Sequence, residues 1–196
     1  NVLKKEKKKK IKAAIITDFG GQPAQWKKFE KIKKKYNIKL VNDNCHAIGS
    51  SLNSNNGYAA KFADFVSLSF HPVKAITTGE GGAILTNNKK YDKKLKLLRS
   101  HSIIRSDKTY WKYKVNSIGY NFRLSDISCA LGISQLKKLN KFIKRRREIA
   151  KIYDAFFLRY SFCKIPSIIK NQLNSYHLYP LLINFKKIKI KKDFFI

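Results

Sequence analysis

Methionine is missing from all 196 residues, even at position 1, while cysteine occurs three times, tryptophan twice and proline four times. With Asn1 opening in front of the run Lys4 to Lys10 and apolar Phe194, Phe195 and Ile196 closing the chain, the sequence reads as cut at both ends. Cys45, Cys129 and Cys163 are too few and too widely spaced for a disulfide framework or a zinc site with paired ligands. No metal is expected, and a reducing compartment, the cytoplasm, is. No apolar run approaches the roughly 20 residues that cross a bilayer, and the segment after the lysine run is too short for a signal peptide. No membrane partner is expected.

Acidic residues are also scarce, at 12 against 43 basic ones, for a formal charge of +31. Such a charge points to a polyanion, and a basic nucleic-acid-binding protein is one reading. The lysines, however, are spread over helix surfaces and both ends in a chain also rich in Ile, Asn, Tyr and Phe, as an AT-biased genome would produce. No nucleic-acid module accompanies them, so no specific nucleic acid is expected.

What remains is the composition of a packed globule, 43% hydrophobic and 13% aromatic. Ile11 to Thr17 reads as a strand that ends at the breakers Gly20, Gly21 and Pro23, and Ala24 to Tyr36 carries Trp26, Phe29 and Ile32 at helical spacing. Ile38 to Val41 is a second strand stopping at Asn42 and Asp43, and Phe65 to Phe70 is a third, ending before Lys74. A strand at Ala83 to Thr86 and a helix from Lys89 to about His101 follow. Ser125 is placed to cap a long helix running through Ile149, and Tyr176 to Phe185 reads as a strand opening a second, smaller domain. Alternating strands and helices predict an α/β sheet of parallel strands, with ligands beyond the strands' carboxyl ends. Asp43 and Lys74 both fall there.

Lys74 stands alone among small and apolar residues in Ser69-Phe70-His71-Pro72-Val73-Lys74-Ala75-Ile76-Thr77-Thr78-Gly79-Glu80-Gly81-Gly82, whereas most lysines here sit in runs. An amine in such surroundings can keep a neutral fraction that forms an imine with an aldehyde, although a lysine after a strand is more often merely solvated. Upstream, Asp43 taken alone could cap a helix, and His46 could be a core histidine. Cys45 beside it has no second ligand pair nearby and reads as a buried small residue.

Both segments, together with Ser117-Ile118-Gly119-Tyr120-Asn121-Phe122-Arg123-Leu124, Gly21-Gln22-Pro23-Ala24 and Ser175-Tyr176-His177-Leu178-Tyr179-Pro180, resemble the DegT/DnrJ/StrS family of sugar aminotransferases over nearly the whole chain. Asn42 and Asn44 depart from the family's wording around the acid. The resemblance implies a three-layer α/β/α large domain of the type I, aspartate aminotransferase-like fold over residues 1–165, with the start of a smaller domain at 166–196. It implies pyridoxal 5'-phosphate as cofactor, with Lys74 as the Schiff-base lysine, Asp43 against the pyridine nitrogen, His46 at the ring hydroxyl and Ser69 at the phosphate.

In such enzymes Asn121 and Arg123 serve the neighbouring subunit's site, Asn121 at the cofactor phosphate and Arg123 ordering the shared site, which makes a homodimer the expected partner. The plainer alternative for Arg123 is a surface ion pair. The wording is nearest to members that aminate carbon 4 of a UDP-linked 4-keto-6-deoxy-N-acetylhexosamine with L-glutamate as donor. Other keto-sugars stay open. The family's phosphate cup and most of its small domain have no counterpart in these residues, so the 196 residues alone are expected to be inactive.

Overall fold

The computed structural model describes residues 11–105, 109, 111–115 and 117–194. Its sheet is built from β1 (Ala13–Thr17), β2 (Lys39–Asp43), β4 (Phe65–Ser69) and β5 (Gly82–Leu85) in the spatial order β1-β2-β4-β5. The first three are parallel, Ala13 to Thr17 facing Lys39 to Asp43 and Val41 to Asp43 facing Phe65 to Ser67. β5 runs antiparallel to β4, with Ser69 opposite Gly82, so the sheet is mixed where the sequence predicted parallel strands throughout. The glycine turn after Lys74 reverses the chain directly, and a strand reached without a crossover helix can only return antiparallel.

Helix α1 (Trp26–Tyr36) packs Trp26 onto the sheet and stops at Asn37, whose φ of 48° is the left-handed turn asparagine tolerates. Trp26, Leu40, Val66 and Tyr58 are almost wholly buried and join Ile16 and Ile38 in one apolar core. A short helix α2 (Tyr58–Phe62), absent from the sequence reading, supplies Tyr58 and Ala59 to it. Helix α3 (Lys89–Arg99) begins at Asn88, which accepts from the N–H groups of Lys90 and Tyr91. Helix α4 (Asp126–Phe157) begins where Ser125 accepts from the N–H of Ser128, as its sequence predicts.

Small ladders complete the fold: β6 (Ile103–Arg105) with β7 (Tyr113–Val115), β3 (Ser51–Leu52) with β9 (Gln172–Leu173), and β8 (Cys163–Lys164) with β10 (Leu182–Ile183). The strand expected over Tyr176 to Phe185 shrinks to β10. Tyr176 has a φ of 51°, and Pro180 has no N–H to give a ladder. No helix of the described residues is long and apolar enough to cross a membrane.

Candidate active site

Asp43 sits at the last position of β2, where the strand's ladder ends and side chains become free to face a ligand. One carboxylate oxygen accepts from the N–H of Cys45 at 3.1 Å and the other from the hydroxyl of Thr17, at the end of β1, at 3.4 Å. Burial works to raise the Asp43 carboxyl, but the bonds from Cys45, the field of His46 and the Thr17 hydroxyl together hold it below the ordinary carboxylate range. The group therefore stays ionised at neutral pH. The Cys45 thiol is pushed up by burial and by Asp43, which leaves it a poor nucleophile; it is half-buried rather than buried.

His46 lies in the turn after β2. Its Nδ1 accepts from the N–H of Gly20 at 3.4 Å, so in the neutral ring the proton sits on Nε2. Burial and the positive charge of Lys74 lower its pKa, against the pull of Asp43. The rings of Phe19 and His177 approach it, with centroids at 5.9 and 4.4 Å.

Behind these groups lies a buried acid that the sequence reading missed. Asp18 is fully buried; one of its oxygens accepts from Ala24 N–H at 2.8 Å and Trp26 Nε1 at 3.1 Å, the other from Asn44 Nδ2 at 3.0 Å and the Tyr58 hydroxyl at 2.7 Å. Asn44, a departure from the family's wording, is thus a working member of this hub. The signal in the sequence was an acid placed between a strand and a Gly-Gly turn in a chain with only 12 of them.

Lys74 follows β4 in a loop fixed by its own backbone: Lys74 N–H donates to His71, Thr78 N–H to Phe70, and Phe70 N–H to Gly81. Gly81 has a φ of 153°, and a Cβ there would lie 2.5 Å from Thr78 Oγ1 and 2.8 Å from Leu124 Cδ1, so only glycine closes this turn without displacement. The loop brings the half-buried Lys74 into the electrostatic neighbourhood of Cys45, His46 and His177. Ser69 Oγ accepts from His71 N–H at 3.4 Å, the local turn bond typical of a serine at a strand end.

A third wall comes from Asn174 to Leu178. Ser175 donates its hydroxyl to the His46 carbonyl at 3.0 Å and its N–H to the Gly21 carbonyl and Ser50 Oγ, while Leu178 N–H donates to the Gly20 carbonyl at 3.2 Å. Arg146 and Arg147 of α4 tie down the same segment, Arg146 at the Tyr176 and His177 carbonyls and Arg147 at the Asn174 and Gly49 carbonyls. Gly21, with a φ of 98°, lets Ser175 approach so closely that a Cβ would collide with its hydroxyl.

The structure therefore brings Asp43, His46 and Lys74 together, with Ser69 at the neighbouring strand end. It does not bring Asn121 or Arg123 to them: both are exposed, and neither side chain bonds to those four residues among the described ones. The backbone of Asn121 bridges Ser100, and around it Ile118, Tyr120, Phe122 and Ile127 leave more than half of their surfaces in water. A hollow of about 580 Å³ lies beside the β6–β7 ladder against Arg105, Trp111 and Tyr113 and holds none of the predicted site residues.

Residues 3–195 match the DegT/DnrJ/EryC1/StrS aminotransferase family, and the chain belongs to it. Its fold is the mixed α/β type I fold of that family's sugar aminotransferases. It is similar to the UDP-4-amino-4,6-dideoxy-N-acetyl-beta-L-altrosamine transaminase of Campylobacter jejuni subsp. jejuni, at 43% identity over 88% of this chain and 45% of that protein. Helicobacter pylori PseC, an aminotransferase involved in the biosynthesis of pseudoaminic acid, superposes with a TM-score of 0.84 at 37% identity, over 92% of this chain and 48% of that one. The PLP form of the sugar aminotransferase Spr1654 from Streptococcus pneumoniae, whose function is described as putative, gives 0.73 at 27% identity, over 88% and 48%. The chain spans about half the length of the curated relatives it matches.

Proposed function

We propose that this chain carries the cofactor site of a pyridoxal-phosphate-dependent aminotransferase that aminates carbon 4 of a UDP-linked 4-keto-6-deoxy-N-acetylhexosamine, with L-glutamate as donor. One observation carries the reading: an ionised carboxylate, a neutral imidazole and a lysine converge at the carboxyl ends of adjacent strands. That donor set fits the cofactor. When bound, the cofactor supplies an electron sink that stabilises the charge left as a proton departs from the amine-bearing carbon.

The chain's own residues do the rest. Asp43, held charged, would keep the pyridine nitrogen protonated, and His46, with its proton on Nε2, would donate to the ring oxygen. Ser69 would take the phosphate. Lys74 would hold the cofactor covalently and carry the proton to and from the amine-bearing carbon.

Asn121 and Arg123 are assigned to the site of a second subunit, a reading supported by the exposed apolar surface around them. The division of the chain near residue 165 into a large domain and the beginning of a smaller one, and a cytoplasmic location, belong to the same proposal.

The test uses a chain of the relatives' length, because these 196 residues alone are expected to bind cofactor weakly and not to turn over. A protein-bound Schiff-base absorbance, distinct from that of free pyridoxal phosphate, should appear with the cofactor and change on adding L-glutamate, and L-glutamate with the UDP-4-keto-sugar should give 2-oxoglutarate and the amino-sugar. Absence of both cofactor absorbance and product would overturn the proposal, while amination of a different keto-sugar would move only the substrate. The charge of +31 keeps a nucleic-acid reading in view. Tight, sequence-selective DNA binding with a steep salt slope would favour it, and weak sequence-independent binding would not.

A further inference from the structure

We propose that His177 is a positioning residue for His46, its ring acting as a flat wall that keeps His46 shielded from water, neutral and oriented with Nε2–H as its free donor. This rests on reading Asp43, His46 and Lys74 as the cofactor site. It adds a residue from outside the sheet to that site.

Contacts from both sides of His177 in sequence converge on His46. Ser175 donates to the His46 carbonyl at 3.0 Å, and Leu178 donates to the carbonyl of Gly20, the residue whose own N–H bonds His46 Nδ1 at 3.4 Å. Between these two anchors the His177 ring lies against that of His46, centroids 4.4 Å apart at 40°. With Phe19 at 5.9 Å, His46 has two aromatic neighbours and one backbone bond to fix it, and its Nε2 has no partner among the described residues.

The charges around the pair have a definite sense. The positive charge of Lys74 acts on both rings and that of Arg146 on His177, while among the described residues Asp43 is the acid whose charge acts on His46. Burial first, then His46, Lys74 and Arg146, push His177 down to about 4, so near neutral pH it is an uncharged ring. Two imidazoles this close beside a lysine cannot both carry protons at low cost. A neutral His177 can therefore cover His46 without competing with the site for negative charge. Its Nδ1 is buried without a hydrogen-bond partner among the described residues, as expected of a ring used for its face rather than its nitrogens.

The experiment compares His177→Ala and His177→Phe in a chain of the relatives' length. In cofactor-free protein, NMR titration of the His46 ring reads the wall directly. His177→Ala should move the His46 pKa up toward the ordinary histidine range, and His177→Phe should leave it lowered. In the loaded enzyme, kcat should fall about tenfold to a hundredfold in the alanine variant, with little change in KM for L-glutamate, and stay within about threefold of wild type in the phenylalanine variant.

An unmoved His46 titration in His177→Ala overturns the proposal, and so does a phenylalanine variant as impaired as the alanine one. If the alanine variant does not fold, His177→Ser, which also removes the ring and lets water reach His46, takes its place with the same expectations. Failure of the wild-type protein to bind pyridoxal phosphate would sink the functional reading, while the cofactor-free titration would still decide the role of His177.

Discussion

The backbone N–H of Asp18 donates to the carbonyl of Asp43 across 3.0 Å, so a fully buried acid and the half-buried acid of the site are joined main chain to main chain. What holds Asp18 also holds the end of β2. Asn44, next in sequence to Asp43, reaches back to the same carboxylate.

Removing that hub should therefore cost stability before it costs chemistry. Asp18→Asn keeps the volume but turns a donor toward Tyr58 and Asn44, and an expected loss of about 2–4 kcal/mol would show as a lower urea midpoint. Tyr58→Phe should cost about 1–2 kcal/mol, since only one hydroxyl is lost. An unchanged midpoint for both variants would mean that the four bonds to Asp18 contribute nothing net.

Lys74→Ala should abolish transamination, a fall of at least about 10²–10⁴-fold, while cofactor affinity persists in part through the contacts that remain. Asp43→Asn should lower kcat on the order of a hundredfold with little change in the unfolding midpoint, because the amide fills the same space without the charge. A wild-type rate in either variant removes that residue from the mechanism.

Sharing of sites between subunits has its own readout. A Lys74→Ala subunit mixed with an Asn121→Ala, Arg123→Ala subunit should recover activity, because one of the two sites in the mixed dimer then has every residue it needs. No recovery in heterodimers shown to form would assign Asn121 and Arg123 to their own subunit or to the surface.

Acid should loosen the fold in a defined window. His177 is pushed from 6.5 to about 4, so between these values the unfolded chain takes up a proton that the folded chain refuses. Stability from this group is fully present above 6.5 and is lost as pH falls toward about 4. The full shift corresponds to roughly 3 kcal/mol, which solvent screening of the partly exposed ring reduces to about 1–2 kcal/mol. Asp43, lowered instead, contributes above the ordinary aspartate pKa and loses that contribution further down, as pH falls through its folded value. Chemical denaturation at several pH values should show the first loss in wild type and a flatter profile in His177→Phe.

Much of this site could be read along the chain because strand ends announce themselves locally. The apolar run that stops at Asn42 and Asp43, and the one that stops before Lys74, needed no knowledge of the rest of the fold. Asp18 and His177 were harder, since their roles exist only after distant segments meet: Tyr58 lies 40 residues from Asp18, and His46 is 131 residues from His177 by their numbering. The turn at Gly81 shows the intermediate case. Its glycines were visible in sequence, but that the turn lays β5 back antiparallel on β4 shows only in the pairing of Ser69 with Gly82. Tyr176 to Phe185 failed as a strand because a stretch rich in apolar residues does not reveal a left-handed backbone at Tyr176.

The stitching of Asn174 to Leu178 onto the loops after β1 and β2 also fixes where this protein can be recombined with a relative. A chimera joined near residue 166 would bring a foreign Ser175, His177 and Leu178 against resident His46 and Gly20, mixing two parents within one hydrogen-bonded cluster. A junction beyond Pro180 leaves that cluster with a single parent, so exchange of the chain on its carboxyl side should alter specificity without disturbing the cofactor site.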